Sequence, residues 1–147
     1  MKILEKIKLD MHRALKNREN DDLRVLRSLI AKIKNKEISK AKQLSEDDVI
    51  KVIRTNINQV KESINIYNKA KRQELAEKEK AELLILKSYV PEMMTDMQVK
   101  ALVKKAIKEV KASGLNDIGK VMPFIMKEGG ATIDGNKARK ILKQLLE

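Results

Sequence analysis

The chain has 147 residues and a formal net charge of +12, from 33 basic and 21 acidic side chains. It contains no cysteine, which excludes disulfides, thiolate metal sites and cysteine nucleophiles. Apolar residues make up 42% of the chain but aromatic residues only 2%. The core must therefore be aliphatic, and this composition favours helices over sheets.

The apolar runs are too short to cross a bilayer, and residues 1–10 carry charges throughout. We therefore expect a soluble, cytoplasmic protein with no membrane partner. The excess of positive charge indicates attraction to polyanions such as RNA.

The first predicted helix runs from Ile3 to about Arg18, because apolar residues recur three or four positions apart. A second helix is predicted from a cap at Asn20 or Asp21 to about Glu37, and a polar linker covers residues 39–43.

The third helix has the clearest start, since the hydroxyl of Ser45 can accept a hydrogen bond from the N–H of Asp48. A regular apolar stripe follows as far as Tyr67. A fourth helix is predicted from about Arg72 to Val90, where Pro91 ends it.

Pro91 is the predicted domain boundary. Residues 1–90 are expected to form an N-terminal four-helix domain, and residues 91–147 a C-terminal three-helix bundle. The fold class is therefore all-α.

Three helices are predicted after the boundary. Thr95 and Gln98 form a capping box for the fifth, which extends to about Ala112. Asn116 is predicted to cap the sixth, in which Pro123 must produce a kink or a split. After a loop with two glycines, Asp134 caps the seventh helix, whose core face is Ala138, Ile141, Leu142 and Leu145.

The predicted fifth helix carries lysines spaced by four, four and three residues, which places their ammonium groups in one line away from the apolar stripe. These are Lys100, Lys104, Lys108 and Lys111. A solvated helix face is one interpretation, and a contact with a phosphate backbone is the other. Further lysines of the last two helices extend the candidate RNA-binding set: Lys120, Lys127, Lys137 and Lys140.

Other polar residues do not form a recognisable catalytic or metal site. Glu79 and Glu82 could in principle transfer protons, but ion pairing with Arg24, Arg27 or Arg54 is the simpler interpretation. The single histidine is expected on a helix surface. We therefore predict no catalytic residue, no metal and no cofactor.

Several motifs together resemble the GatB/YqeY domain family, in one register over nearly the whole chain. In the first half these are residues 25–29 with Asn35, residues 61–64 with Tyr67, and the run Tyr89, Val90 and Pro91. In the second half they are residues 119–122, Met126, Lys127, Asp134 and Gly135.

The resemblance implies an all-α protein related to the tail of the B subunit of the glutamine-dependent aspartyl/glutamyl-tRNA amidotransferase. That tail helps to hold the tRNA. The resemblance also carries a family-level association with carbon–nitrogen ligase activity with glutamine as amido-N-donor, although the catalytic part of the B subunit has no counterpart here.

The chain departs from the family pattern at two places. The segment 129–133 lacks the basic residue that usually precedes the Asp-Gly pair, and Asn58 and Val60 stand where relatives tend to carry basic residues. The row from Lys100 to Lys111 therefore remains the main candidate for RNA contact.

These observations predict a non-catalytic accessory protein that binds tRNA or another structured RNA, and that is associated with an amidotransferase or aminoacyl-tRNA synthetase. The alternative is a helical protein–protein adaptor that docks on such an enzyme through the methionine-rich segment or the first helix. A third hypothesis takes the ligase association literally.

Overall fold

The computed structural model describes residues 1–147 and contains helices but no β-strand, which confirms the all-α class. The α-helices are α1 Ile3–Lys16, α2 Asn20–Lys40, α3 Glu46–Lys69, α4 Gln73–Lys87, α5 Asp96–Val110, α6 Ile118–Gly129 and α7 Gly135–Leu146. Short 3₁₀ helices cover Leu115–Asp117 and Gly130–Thr132.

The chain divides into two compact units, Met1–Val90 and Pro91–Glu147. In the first unit, α3 packs along α4 and α1 along α2, around an aliphatic core. In the second unit, each of α5, α6 and α7 contacts the other two around a separate aliphatic core. Every helix thus buries one apolar stripe and leaves its polar face to solvent.

Three predicted helix starts are confirmed by their capping hydrogen bonds. The Ser45 hydroxyl accepts from the Asp48 N–H at 3.2 Å, and Thr95 and Gln98 form the reciprocal capping box. The Asp134 carboxylate accepts from two N–H groups in the first turn of α7. These caps depend only on neighbouring residues, and for that reason sequence patterns identify them.

Two other predicted caps are wrong. Helix α2 begins at Asn20 itself, and its cap residue Glu19 makes no side-chain capping bond. Asn116 lies inside the 3₁₀ turn that precedes α6, and α6 also begins without a side-chain capping bond.

Helix α6 continues through Pro123, so of the two predicted outcomes the split is wrong and the kink stays a prediction. Proline removes one hydrogen bond from the helix. Val121 and Ile125 flank it and are fully buried. Packing on the core of the second unit therefore holds the helix together despite the missing bond.

Several helix ends differ from the predicted positions. Helix α1 ends at Lys16, and Arg18 just beyond it has a left-handed φ of 58°. Helix α2 extends to Lys40, inside the predicted linker, and ends where Ala41 has a left-handed φ of 53°. In α7, Leu145 is 37% exposed, while its neighbour Leu146 packs against the core.

Candidate nucleic-acid interface

Helix α5 presents one face to the core and the opposite face to solvent. Val99, Val103 and Ala106 are buried, and the capping box fixes where the helix starts. Lys100, Lys104 and Lys108 are exposed on the other side. Eight residues of helical rise separate the first and third of these lysines, which corresponds to about 12 Å along the axis.

Lys111 does not continue this line as predicted. Helix α5 ends at Val110, and Lys111 is the C-cap residue, with a left-handed φ of 58°. The helical spacing of side chains no longer applies beyond the last turn. The row on α5 therefore consists of three lysines, and Lys111 is an exposed cation beyond its end.

The three lysines of the row take part in none of the ion pairs of the structure. Two other candidates are paired. Lys137 lies 2.6 Å from Asp96, and Lys120 lies 3.8 Å from Asp117. The hydrogen bond from Lys137 to Asp96, together with the charge of that carboxylate, raises the pKa of Lys137. The paired carboxylate offsets part of the positive charge of each of these two lysines, so they are weaker candidates for phosphate contact.

Lys127 and Lys140 complete the candidate set in the second unit. Lys127 lies in the last turn of α6, and Lys140 lies on the side of α7 away from the buried Ala138 and Leu142. Both are exposed and form no ion pair. All eight predicted lysines are therefore on the surface of this unit, but only those of α5 form a row on one helix.

The connection between α6 and α7 holds these helices in place. The Thr132 hydroxyl donates to the Gly129 carbonyl at 2.7 Å, and the Thr132 carbonyl accepts from the Met94 N–H at 2.9 Å. Gly130 has a φ of 52° and a ψ of −129°, a backbone conformation essentially restricted to glycine. The connection contains no basic residue, so it positions the lysines without adding one.

Glu79 and Glu82 lie on α4 in the first unit. Glu82 approaches Arg24 to 4.0 Å, which confirms the ion-pair interpretation for this carboxylate. Burial and the neighbouring Glu82 raise the pKa of Glu79. His12 is exposed on α1, as expected, and no group of three histidine or carboxylate side chains is arranged to hold a metal ion.

A second basic row, which was not predicted from the sequence, lies on α2 in the first unit. Lys32, Lys36 and Lys40 are each four residues apart, the same spacing as in α5. The structure shows that these lysines line a groove between α2 and α3. The spacing of these lysines was the only sign of the groove in the sequence. The α3 residues that form its other side lie opposite them only because α2 and α3 pack together.

None of the seven α-helices combines the length and the apolar character that a membrane span requires.

Comparison with known proteins gives a consistent set of matches. The family model described as Yqey-like protein matches residues 4–146. Proteins named "altered inheritance of mitochondria protein 41, mitochondrial" are similar to the chain in several fungi. The one from Clavispora lusitaniae is 30% identical over 116 residues, which cover 78% of this chain and 68% of that protein. The one from Pyrenophora tritici-repentis is 28% identical over 150 residues, covering 98% and 81%.

The names of these relatives place them in mitochondria, which differs from the cytoplasmic location expected from this sequence. The location of this chain therefore stays a prediction.

Proposed function

The chain belongs to the YqeY-like protein family, which is related to the C-terminal part of the amidotransferase B subunit, and from this premise we propose that it is an RNA-binding accessory protein with tRNA as its RNA. The proposed contact surface is the row Lys100, Lys104 and Lys108, with Lys111, Lys127 and Lys140 as further contacts. Lys120 and Lys137 are weaker contacts, because Asp117 and Asp96 offset part of their charge.

The unpaired row on α5 carries this proposal. Three exposed ammonium groups over about 12 Å of helix axis present a line of positive charge to the phosphates of an RNA strand. Lysine binds phosphate as a point charge, without demanding one geometry. A row that forms no ion pair within the chain keeps its charge available for such a partner.

The side chains of the second unit are better suited to contact phosphates than to recognise bases. Phe124 is its only aromatic residue, and this ring packs against the core. Unstacked bases are usually held on exposed aromatic rings. We therefore propose that the protein recognises the shape and backbone of a folded RNA.

The proposed role is binding without catalysis. Glu82 is paired with Arg24, so one member of the candidate acid–base pair already has a structural function. Glutamine-dependent amide transfer by the purified chain, with no partner subunit, would contradict this part of the proposal.

We also propose that the two units are separate domains, an N-terminal four-helix domain over residues 1–90 and a C-terminal three-helix domain over residues 91–147. Each unit has its own buried aliphatic cluster, which is the main requirement for independent folding. Calorimetry of the full chain should resolve two unfolding transitions, and a single two-state transition would argue against separate domains.

The test of RNA binding is the fluorescence anisotropy of labelled tRNA, titrated with the full chain across a salt series. Duplex DNA and unstructured RNA serve as competitors. The double variant Lys104→Glu and Lys108→Glu should weaken binding by about tenfold or more and reduce the log–log salt slope by roughly two.

The matched control is the double variant Lys105→Glu and Lys143→Glu. Both residues are exposed in the second unit, and the change in net charge is the same, but neither belongs to the row. If both double variants lost the same affinity, the effect would come from the net charge of the protein and not from the row on α5. Displacement by any polyanion with equal ease would remove tRNA as the preferred partner.

An adaptor that docks on an amidotransferase or synthetase is the second candidate function. Met93 and Met97 are 43% and 84% exposed at the start of the second unit, and flexible methionines suit adaptable protein contacts. Co-purification with such an enzyme that survives nuclease treatment, and is lost when both methionines become glutamine, would favour it.

A further inference from the structure

A groove with a volume of about 550 Å³ runs between α2 and α3 in the first unit. Its size lies within the range of small-molecule sites. All of its lining residues belong to the first unit, whereas the candidate RNA-binding lysines belong to the second. The two sites can therefore be tested independently.

The groove is strongly basic. Lys32, Lys36 and Lys40 lie along α2 at intervals of four residues, and Lys51 comes from α3. The three lysines of α2 cover about 12 Å of helix axis. The only acidic residue in the lining is Asp48, so the lining has a formal net charge of +3, from four lysines and one aspartate.

This charge is only partly balanced. Lys40 lies 3.8 Å from Asp48, whereas the other three lysines take part in none of the ion pairs of the structure. The pKa of Asp48 is lowered, because the hydrogen bond from Ser45 and the charges of Lys40 and Lys51 together outweigh desolvation, the largest single effect, which acts to raise it. Asp48 therefore stays ionised and paired with Lys40, and Lys36 and Lys51 remain available to an anion.

The floor of the groove contains the one buried polar side chain of the chain. Asn56 is 4% exposed on the core side of α3, and its amide oxygen accepts a hydrogen bond from the Lys32 ammonium group at 2.8 Å. Burial of an amide is unfavourable unless the amide is hydrogen-bonded. The bond fixes one of the four cations in the groove and leaves the amide NH₂ of Asn56 as a donor.

The remaining polar lining is neutral. Asn35 and Ser39 come from α2, and Thr55 and Gln59 from α3. Amide and hydroxyl groups are common partners of phosphate oxygens. The lining contains no aromatic side chain, so the groove has no platform on which a base could stack.

We propose that the α2–α3 groove is a phosphate-binding site, in which Lys36 and Lys51 hold the anion and Lys32, fixed by Asn56, completes its coordination. The phosphate can belong to a free phosphorylated small molecule or to the backbone of an RNA strand. The proposal does not depend on the RNA contact proposed for α5.

The experiment is a titration of the ¹⁵N-labelled full chain followed by NMR, with three probes: inorganic pyrophosphate, adenosine monophosphate and a twelve-nucleotide uridine RNA. The reporters are the backbone amides of Asn35, Ser39 and Thr55, and the side-chain amide of Asn56. At least one probe should shift these signals in a saturable manner.

Variants distinguish a built site from general charge. The double variant Lys36→Glu and Lys51→Glu should weaken the groove response by about tenfold or more. The matched control Lys34→Glu and Lys61→Glu changes exposed lysines of the same two helices outside the groove, and should keep the response. If the glutamate variant does not fold, glutamine at positions 36 and 51 removes the same two charges.

The outcomes separate the sources of phosphate. A response to pyrophosphate or adenosine monophosphate assigns the groove to a free phosphorylated ligand, and a response to RNA alone assigns it to a nucleic-acid backbone. No response to any probe, or an equal loss in the control variant, overturns the proposal. The double variant at Lys104 and Lys108 should leave the groove response unchanged, so failure of the RNA contact on α5 would be recognised separately.

Discussion

Gly129 is the position where the fold of the second unit is most sensitive to one added methyl group. A Cβ atom at this residue would lie 2.5 Å from the Ile133 Cβ and 2.6 Å from its Cγ2. Ile133 is 5% exposed, and its Cβ is attached directly to the backbone. A change of rotamer therefore cannot relieve the contact, and the turn between α6 and α7 must move.

The expected cost of Gly129→Ala follows from this contact. Overpacking of a well-packed core costs about 1–3 kcal/mol. The gain in helix propensity is at most about 1 kcal/mol, and it is smaller here because Gly129 is the last residue of α6. We expect a net loss of about 2 kcal/mol, which lowers the Tm of so small a unit by roughly 8–16 °C.

Gly119→Ala is the matched control in the same helix. Apart from its chain neighbours and the backbone of its own helix, nothing lies within 4 Å of the added Cβ, and Gly119 does not have a positive φ. The exposed methyl group should stabilise the second unit by up to about 0.5 kcal/mol, because alanine restricts the unfolded chain and is the better helix former, although Gly119 lies in the first turn of α6.

The assay is differential scanning calorimetry of the full chain, with circular dichroism at 222 nm to confirm helix content. Gly129→Ala should move the transition of the second unit and leave that of the first unchanged. A Gly129→Ala variant as stable as the unsubstituted protein would refute the packing argument, and so would a stabilisation equal to that of Gly119→Ala.

Three further predictions concern two hydrogen-bonded ionisable groups, Tyr89 and Asp117. The Tyr89 hydroxyl donates to Asp10 at 2.5 Å, so Tyr89→Phe should lower the free energy of unfolding in urea by about 1.5 kcal/mol, and an unchanged midpoint would contradict this. Burial is the largest effect that raises the pKa of Tyr89 above its usual 10.0, and the hydrogen bond to Asp10 raises it further. The stability contributed by the protonated Tyr89 is therefore complete below pH 10 and is lost as pH rises through the folded-state pKa. Ultraviolet titration of the tyrosine can measure this folded-state pKa. The hydrogen bond from the backbone N–H of Ser113 lowers the pKa of Asp117 below 3.8. The stability that the ionised Asp117 contributes is therefore present above pH 3.8 and is lost as pH falls through the folded-state pKa. A pKa of 3.8 or higher, measured for the Asp117 carboxyl by carbon-13 NMR, would contradict this prediction.

Much of the helical organisation could be predicted because its determinants are local. The caps at Ser45, Thr95 and Asp134 each depend on residues within three positions of the helix start. The apolar stripes repeat with the period of the helix, so the buried faces of α3 and α5 were also predictable.

The errors lie where packing or backbone geometry overrides a local preference. Pro123 removes a hydrogen bond and could have split α6, but the helix is continuous through it, with buried residues on either side. Lys111 continues the lysine spacing in the sequence, yet its left-handed backbone places it beyond the end of α5. Local patterns cannot give the angle at which a chain leaves a helix.

The all-α class, the aliphatic core, the positive charge and the lysine row of α5 follow from the amino-acid sequence, because each depends on composition or on a period of a few residues. Which cations form ion pairs or hydrogen bonds depends instead on how the helices pack. Asp96 and Lys137 are 41 positions apart, and Lys32 and Asn56 are 24 apart, yet each pair is in hydrogen-bond contact. Packing brings such residues together from different helices, and no sequence period encodes that proximity.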